Sequence, residues 1–304
     1  MTALKTTRVM QAAAATAASG LAWSLVERRW FTLRHETMPA LGRAVASMLR
    51  VLHLSDLHLT PGDRRMAAFV RGTLVHAPDL VVVTGDMLGH PEAIDDAVAL
   101  LADVGRDRPA VAVLGSNDRY GPVLRNPLRY LRGPTTMHPG VALDTERLVV
   151  GLKEAGWHVL RNQRVIVPTA AGDIDVIGLD DPHIGAASPD QIDWTPVHGC
   201  TARLGVVHAP YVDVVERFAS ADVDLTLAGH THGGQVRVPG IGALVDNCDL
   251  PLRMARGVSS YDAHMWLHVS AGLGTSRYAP VRFACRPEAS ILDVVPRRSD
   301  PAQL

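Results

Sequence analysis

The sequence predicts an α/β fold that contains two β-sheets. Short apolar runs alternate with amphipathic stretches between residues 51 and 114, which is typical of strands joined by helical, right-handed crossovers into a parallel sheet. Apolar segments separated by tight turns follow between residues 157 and 179, and they predict antiparallel pairs in a second sheet. The 304 residues suffice for one large domain of this class or for two small ones.

The region up to residue 114 supplies the strand–helix alternation. Strands are predicted at 51–54, 79–84 and 110–114, and helices at 63–76 and 91–104. In the first helix the apolar residues recur at helical spacing with arginines on the opposite side. The second helix opens with a proline and acidic residues, which favour a helix N-terminus. Strand, helix, strand, helix and strand in this order predict a parallel sheet.

The rest of the chain adds helices, a meander and closing strands. Helices are predicted at 144–155 and 211–220, and strands at 157–160, 164–168, 173–179, 203–207, 224–228, 236–244, 264–269, 281–285 and 289–294. The arginine-rich stretch 119–140 breaks the rhythm and predicts a loop, either a positively charged cap over an anionic substrate or a solvated excursion. The glycine-rich stretch 270–278 predicts a loop that could line a site.

The N-terminal segment is apolar and uncharged from Val9 to Val26. As a helix it would span roughly 27 Å, just short of a ~30 Å hydrocarbon core. A transmembrane helix, a signal peptide and a soluble or interfacial helix all remain open, and the first is favoured. Five arginines against two glutamates between Glu27 and Arg50 then predict a catalytic part that stays cytoplasmic.

The chain therefore divides into four predicted parts. They are an apolar helix that could anchor the protein in a membrane (1–30), a linker or short strand (31–49), the catalytic domain (50–296) and a tail (297–304). The 30 basic and 31 acidic residues balance, so bulk binding to nucleic acid is not expected. Three cysteines without metal-type spacing favour a reducing compartment. Nothing in the sequence indicates an oligomeric state.

Side chains that can bind metal follow five of the predicted strands. They are Asp56 and His58, Asp86, Asn117, His208, and His230 and His232. Polar groups at the carboxyl ends of strands in α/β folds usually mark a site. Mixed carboxylate, amide and imidazole ligation suits Mn, Fe or Zn, and the absence of cysteine argues against a structural zinc site. Seven donors are too many for one ion and suit two divalent ions that share a carboxylate about 3.5–4 Å apart.

These motifs also carry a family resemblance. The order Asp56-x-His58, Gly85-Asp86, Gly115-Ser116-Asn117-Asp118, His208 and Gly229-His230-Thr231-His232 resembles the calcineurin-like metallophosphoesterase superfamily over about residues 50–295. The extended form Gly-His-Thr-His-Gly-Gly-Gln, behind an apolar N-terminus, is similar to the bacterial membrane-associated branch. The resemblance implies a four-layer αββα sandwich with two mixed β-sheets flanked by helices and a metal site at strand carboxyl ends.

The resemblance also implies roles for the candidate ligands. One ion would take Asp56, His58, Asp86 and His232, and the other would take Asp86, Asn117, His208 and His230, with Asp86 bridging. A metal-activated water would then hydrolyse a phosphodiester or pyrophosphate bond, with a lipid-linked or nucleotide-type phosphate ester as substrate. The alternatives are a metal-binding regulatory protein at the membrane that has lost much of its catalysis, and a nuclease. The balanced charge argues against the nuclease.

The third motif departs from the family form Gly-Asn-His-Asp. Without a gap, Ser116 takes the place of the metal-binding asparagine and Asn117 that of the active-site histidine. An alignment shifted by one residue keeps Asn117 as the metal ligand and puts Asp118 in the place of the active-site histidine. This alignment is favoured because an amide oxygen is a better ligand than a neutral hydroxyl. No histidine remains there to protonate the leaving group. We therefore expect a preference for phosphodiesters or pyrophosphates with good leaving groups over alkyl monoesters.

The remaining histidines carry weaker predictions. His53 lies within the first strand and is predicted to be a packed core residue. His183 and His268 lie near strand ends and could support the site. Asp180-Asp181-Pro182-His183 is predicted to form a turn, with a supporting role behind the ligands as the alternative.

Overall fold

The computed structural model describes residues 2–42, 47–123, 140–275 and 279–297. Its helices are α1 (Thr2–Glu27), α2 (Arg64–Gly72), α3 (Ile94–Gly105), α4 (Thr145–Glu154) and α5 (Val212–Ala219). Its strands are β1 (Thr32–Leu41), β2 (Leu49–Leu54), β3 (Leu80–Thr84), β4 (Ala110–Val113), β5 (His158–Val159), β6 (Gln163–Thr169), β7 (Gly172–Gly178), β8 (Ala202–Val206), β9 (Leu225–Ala228), β10 (Arg237–Val238), β11 (Gly242–Ala243), β12 (Gly257–Ser260), β13 (Trp266–Val269) and β14 (Glu288–Pro296).

Two six-stranded mixed sheets form the centre of the fold. The first has the order β1-β14-β2-β3-β4-β5, and the second has the order β12-β13-β9-β8-β7-β6. In the first sheet β2, β3, β4 and β5 run parallel, and β14 is antiparallel to β2. In the second sheet β13, β9, β8 and β7 run parallel and are flanked by antiparallel β12 and β6. The parallel strands of each sheet therefore end at a common edge.

Three hydrophobic clusters show that the fold has four layers. One cluster joins α2, α3 and α4 to the outer face of the first sheet. A second cluster lies between the two sheets and draws aliphatic residues from both, among them Val51 and Val82 opposite Leu204 and Leu225. The third joins α5, with Phe218 fully buried, to the outer face of the second sheet. This confirms the expected αββα sandwich with two mixed sheets.

Several predicted elements differ from those observed. The strand predicted at 236–244 is a small hairpin of β10 and β11, and residues 281–285 form no strand. Strand β12 was not predicted, because Gly257–Ser260 lacks an apolar pattern. A linker or a short strand was predicted for residues 31–49. This region contains β1, which pairs in parallel with β14. The predicted cap at 119–140 lies mostly outside the described residues.

The prediction of a membrane anchor at the N-terminus is wrong. Within the residues that the structure describes, no helix combines the length and the apolar character needed to cross a bilayer. Helix α1 is long enough, but it is alanine-rich and interrupted by polar residues such as Gln11 and Thr16. The cytoplasmic placement rested on the same span and has no support without it.

The C-terminal turn of α1 is attached to the two-sheet domain. Glu27 is buried, and its carboxylate accepts hydrogen bonds from the backbone N–H groups of Ala284 (3.0 Å) and Cys285 (2.7 Å). The Trp23 indole donates to the same carboxylate at 2.8 Å, and the Arg282 backbone N–H donates to the Ser24 carbonyl at 3.2 Å. Three hydrogen bonds to one buried carboxylate fix this turn against the domain.

A buried ion-pair cluster in the second sheet gives a stability prediction. Asp175 on β7 is 1% exposed, accepts two hydrogen bonds of 2.6 Å from Arg164, and lies 3.0 Å from Arg203. We expect Asp175→Asn to lower the free energy of unfolding by about 3–5 kcal/mol, because it leaves two guanidinium groups without a counter-charge. Urea unfolding at 25 °C measures this loss. Asp190→Asn, an exposed carboxylate, is the control, and equal stability of the two variants would contradict the prediction.

Candidate metal centre

The predicted ligands lie in loops at the carboxyl ends of β2, β3, β4, β8 and β9. Five of them have a positive φ: Asp56 (47°), His58 (42°), Asp86 (50°), His230 (67°) and His232 (49°). A non-glycine residue in this region is disfavoured by about 1–2 kcal/mol. Such backbone outliers concentrate at functional sites, where the surrounding structure compensates for their strain.

Asp56, His58 and His232 form the first cluster of donors. His58 Nε2 lies 3.3 Å from His232 Nε2, and His232 Nε2 lies 3.6 Å from Asp56 Oδ1. The Asp86 Oδ2 atom is 3.6 Å from His58 Nε2. Four donors from three different loops therefore surround one point, as expected for a cation site.

Asp86, His208 and His230 form the second cluster. Asp86 Oδ2 is 3.5 Å from His208 Nε2, which is 3.3 Å from His230 Nδ1. The Asn117 side chain reaches the same carboxylate, with its Nδ2 atom 2.6 Å from Asp86 Oδ2. Asp86 Oδ2 thus lies between the two clusters. A carboxylate oxygen of Asp56 also lies within 4.8 Å of donor atoms of Asp86 and His208.

The spacing of these donors fits bound cations. Two ligand atoms held about 2.1 Å from one tetrahedral ion are about 3.4 Å apart, close to the separations observed here. Asp56 Oδ1 is fully buried and has no hydrogen-bond partner among the described residues. Because buried carboxylate oxygens are normally satisfied, this atom is available for a cation.

Two glycines allow this close packing for different reasons. Gly85 has φ = 86°, which favours glycine, and a Cβ atom there would lie 2.9 Å from His208 Nδ1. Gly229 is needed for space, because a Cβ atom there would overlap Ser55 Oγ and lie 2.5 Å from Asp56 Oδ2. The close approach at Gly229 is visible only in the structure.

The histidine donors of the metal-free site differ in their protonation states. Burial lowers the pKa of His230 and of His232 well below the ordinary histidine value, so both are neutral near pH 7 with a free lone pair. Burial also opposes the charge of His208, but the carboxylate of Asp86 outweighs it and raises that pKa well above its ordinary value. The same pairing overcomes burial at Asp86 and holds its pKa well below the ordinary range. A bound cation would replace the proton of His208.

The third motif places Asn117 and Asp118 in different environments. The Asn117 backbone N–H donates to Asp86 Oδ1 at 2.8 Å, so both the backbone and the side chain of this residue contact the central carboxylate. Asp118 is fully buried, and its two oxygens accept from the backbone N–H groups of Met87, Leu88 and Gly115. Burial raises the pKa of Asp118 to about 7, but these bonds occupy both oxygens and tie the two loops together.

Several residues that support the ligands were not predicted. The Asn247 carbonyl and its side-chain Nδ2 lie 3.1 Å and 3.2 Å from His230 Nε2, and they hold the ring with Nδ1 facing the second cluster. Arg282 is fully buried, donates to the carbonyls of Ala271 and Gly274 at 2.7 Å, and lies 3.3 Å from His232 Nδ1. His183, noted in the sequence, packs against His230 with ring centroids 4.5 Å apart. Neither Asn247 nor Arg282 belongs to a recognisable motif.

The chain is similar to several known proteins. The family model described as "Calcineurin-like phosphoesterase" matches residues 49–234. "Phosphodiesterase YaeI" of Escherichia coli (strain K12) is 30% identical over 300 residues, which cover 95% of this chain and 98% of that protein. "Uncharacterized metallophosphoesterase YkoQ" of Bacillus subtilis (strain 168) is 28% identical over 253 residues, which cover 82% of this chain and 84% of that protein. Among solved structures, TT1561 of Thermus thermophilus aligns at 12% identity with a TM-score of 0.41, over 75% of this chain and 91% of that one.

Proposed function

Because the chain belongs to the calcineurin-like phosphoesterase family, we propose that it hydrolyses phosphodiester or pyrophosphate bonds at a centre of two divalent cations. The observation that carries the proposal is the position of Asp86 Oδ2, 3.6 Å from His58 Nε2 in one donor cluster and 3.5 Å from His208 Nε2 in the other. A carboxylate shared in this way suits two cations about 3.5–4 Å apart.

Each donor has a proposed place in this centre. One cation is held by Asp56, His58, Asp86 and His232, and the other by Asp86, Asn117, His208 and His230. When bound, a cation pair of this kind lowers the pKa of a shared water and neutralises charge that develops on the phosphate. Mn, Fe and Zn all accept this mixture of oxygen and imidazole donors.

The chain's own residues orient and support this chemistry. The Asn247 carbonyl fixes the ring of His230, and the Asp56 carboxylate keeps one oxygen free toward the cations. We assign Asp118 a positioning role rather than a catalytic one, since its carboxylate joins the loops that carry Asp86 and Asn117. No histidine of the third motif is then present to protonate the leaving group. This favours substrates whose leaving groups are acidic.

The choice of a diester or pyrophosphate substrate has two supports. The Escherichia coli relative, which aligns over 95% of this chain, is called a phosphodiesterase. The third motif offers no histidine as general acid, and a diester or pyrophosphate with a stable leaving group needs that help least. Lipid pyrophosphates release a phosphate and meet this condition, whereas cyclic nucleotides and nucleotide diesters release a sugar hydroxyl, so these are the substrates to compare.

The test is hydrolysis of bis(4-nitrophenyl) phosphate by metal-stripped protein. We expect no turnover after treatment with EDTA, and turnover that returns as Mn²⁺ is added up to two equivalents, with Zn²⁺ and Fe²⁺ tested in parallel. Calorimetry on the same samples counts the bound ions. Protein that binds two ions but hydrolyses neither this diester nor a pyrophosphate would instead support the regulatory, catalytically weakened alternative.

A further inference from the structure

A chain of buried hydrogen bonds runs from the space between the two sheets to the metal centre. It joins His268 on β13, His53 on β2, Thr84 at the end of β3, Ser55 and Asp56, all of which are 0% exposed. The distances are 2.8 Å between the two Nδ1 atoms, 2.9 Å from His53 Nε2 to Thr84 Oγ1, 2.7 Å from Thr84 Oγ1 to Ser55 Oγ, and 2.6 Å from Ser55 Oγ to Asp56 Oδ2. The chain connects both sheets to one carboxylate.

The carboxylate at its end determines the direction of every bond. Asp56 Oδ2 accepts from the His230 backbone N–H at 3.0 Å and is therefore an acceptor, so Ser55 donates its one hydroxyl hydrogen to it. Ser55 must therefore accept from Thr84, and Thr84 in turn must accept from His53 Nε2–H. A neutral His53 protonated at Nε2 has a bare Nδ1, so His268 must donate its Nδ1–H. The remaining His268 Nε2 is then a lone pair, and it has no partner among the described residues.

We propose that this chain positions Asp56 for cation binding, with Thr84 as its central positioning residue. Four donors that point in one direction polarise each other and strengthen the last bond to Asp56 Oδ2. With Oδ2 held by Ser55 and by the His230 backbone N–H at 3.0 Å, Oδ1 stays directed to the cation. The inference rests on the proposed function, because it assigns the chain a task at the same centre.

Thr84 also contacts the second cluster through its backbone. The Thr84 carbonyl lies 2.7 Å from His208 Nδ1, so it accepts that N–H and leaves His208 Nε2 facing the metal centre, where a bound cation would replace its proton. Burial lowers the pKa of His53 well below the ordinary value and that of His268 to about 4, in agreement with two neutral rings. A single residue at the end of β3 therefore supports one ligand through its hydroxyl and another through its carbonyl.

The tautomers provide a test that is independent of catalysis. Long-range ¹H–¹⁵N correlation spectra of the metal-free protein, assigned with His53→Gln and His268→Gln, report which ring nitrogen carries hydrogen. We expect Nε2–H on His53 and Nδ1–H on His268. The opposite tautomers, or two exchanging rings, would overturn the directed chain whatever the protein hydrolyses.

Cation affinity tests the positioning role. Replacing Thr84 by valine removes the hydroxyl with little change of shape, and we expect the dissociation constant of one Mn²⁺ to rise about 10–100-fold. Thr84→Ser keeps the hydroxyl and should stay within about threefold of wild type. Ser290→Ala is the matched control. Ser290 lies opposite His53 in the sheet, but its buried hydroxyl forms no hydrogen bond with the described residues and so is not part of the chain.

The outcomes separate this inference from the proposed function. Unchanged Mn²⁺ affinity in Thr84→Val, or an equal loss in Thr84→Ser, would overturn the positioning role while leaving the metal centre intact. If Thr84→Val does not fold, Ser55→Ala removes the next hydroxyl of the chain and should show the same weakening. Wild-type protein that binds Mn²⁺ without hydrolysing phosphate esters would refute the proposed function alone.

Discussion

Replacing Asp86 by alanine is expected to abolish hydrolysis of bis(4-nitrophenyl) phosphate, with a loss of about 10³-fold or more. Its Oδ2 atom lies 3.6 Å from His58 Nε2 and 3.5 Å from His208 Nε2, so both donor clusters lose a ligand together. Turnover with Mn²⁺ and the number of bound ions measure the effect. We expect the stoichiometry to fall from two ions to one or none.

The same variant changes the metal-free protein in a defined direction. Burial lowers the pKa of His208, and the Asp86 carboxylate is the main group that raises it. Without Asp86 that pKa should fall, so His208 becomes neutral at a lower pH than in the wild type, which an NMR titration measures. Asp190→Ala, at an exposed position, is the control for both readouts. Retained turnover in Asp86→Ala would remove the bridging role and the two-ion model with it.

The strand ends of the fold were predictable because they depend on local pattern. Apolar runs placed β2, β3, β4, β8 and β9 near their observed positions, and parallel strands bring their carboxyl ends to one edge. The approach of the two sheets, one with β2, β3 and β4 and the other with β8 and β9, became visible only in the structure. Within each sheet, the convergence of the donors at the strand ends followed from the predicted strands. Their backbone conformations did not, since residues such as His58 and Asp86 have φ values that L-amino acids rarely adopt.

The supporting residues were harder to predict, for a physical reason. Arg282 and Asn247 contact the ligands through tertiary approach, which no spacing in the sequence indicates. The anchor prediction failed for another reason, because residues 9–26 carry no charge but are not apolar enough for a helix that crosses a bilayer. The attachment of the turn that follows, through Glu27, was also not predicted. A buried carboxylate that accepts backbone N–H groups cannot be recognised before the fold is known.

The third motif gives the prediction with the second large effect. Because the motif offers no histidine to protonate a leaving group, the rate should depend steeply on leaving-group acidity. Replacing Ser116 by asparagine and Asn117 by histidine together creates the family's Gly-Asn-His-Asp form. A positioned general acid contributes about 10²–10⁴-fold, mainly where the leaving group is basic. We therefore expect the aryl-to-alkyl rate ratio to fall by about 10²-fold in the double variant.

Rates with a series of aryl and alkyl phosphodiesters and monoesters measure this ratio, with ion stoichiometry checked in each variant. Single variants separate the two alignments of the motif. Asn117→Ala should weaken cation binding more than Ser116→Ala, since the Asn117 Nδ2 atom donates to Asp86 Oδ2 at 2.6 Å and holds that carboxylate in place. Comparable wild-type turnover of simple alkyl monoesters and aryl diesters would refute the prediction, because it would require a proton donor elsewhere in the site.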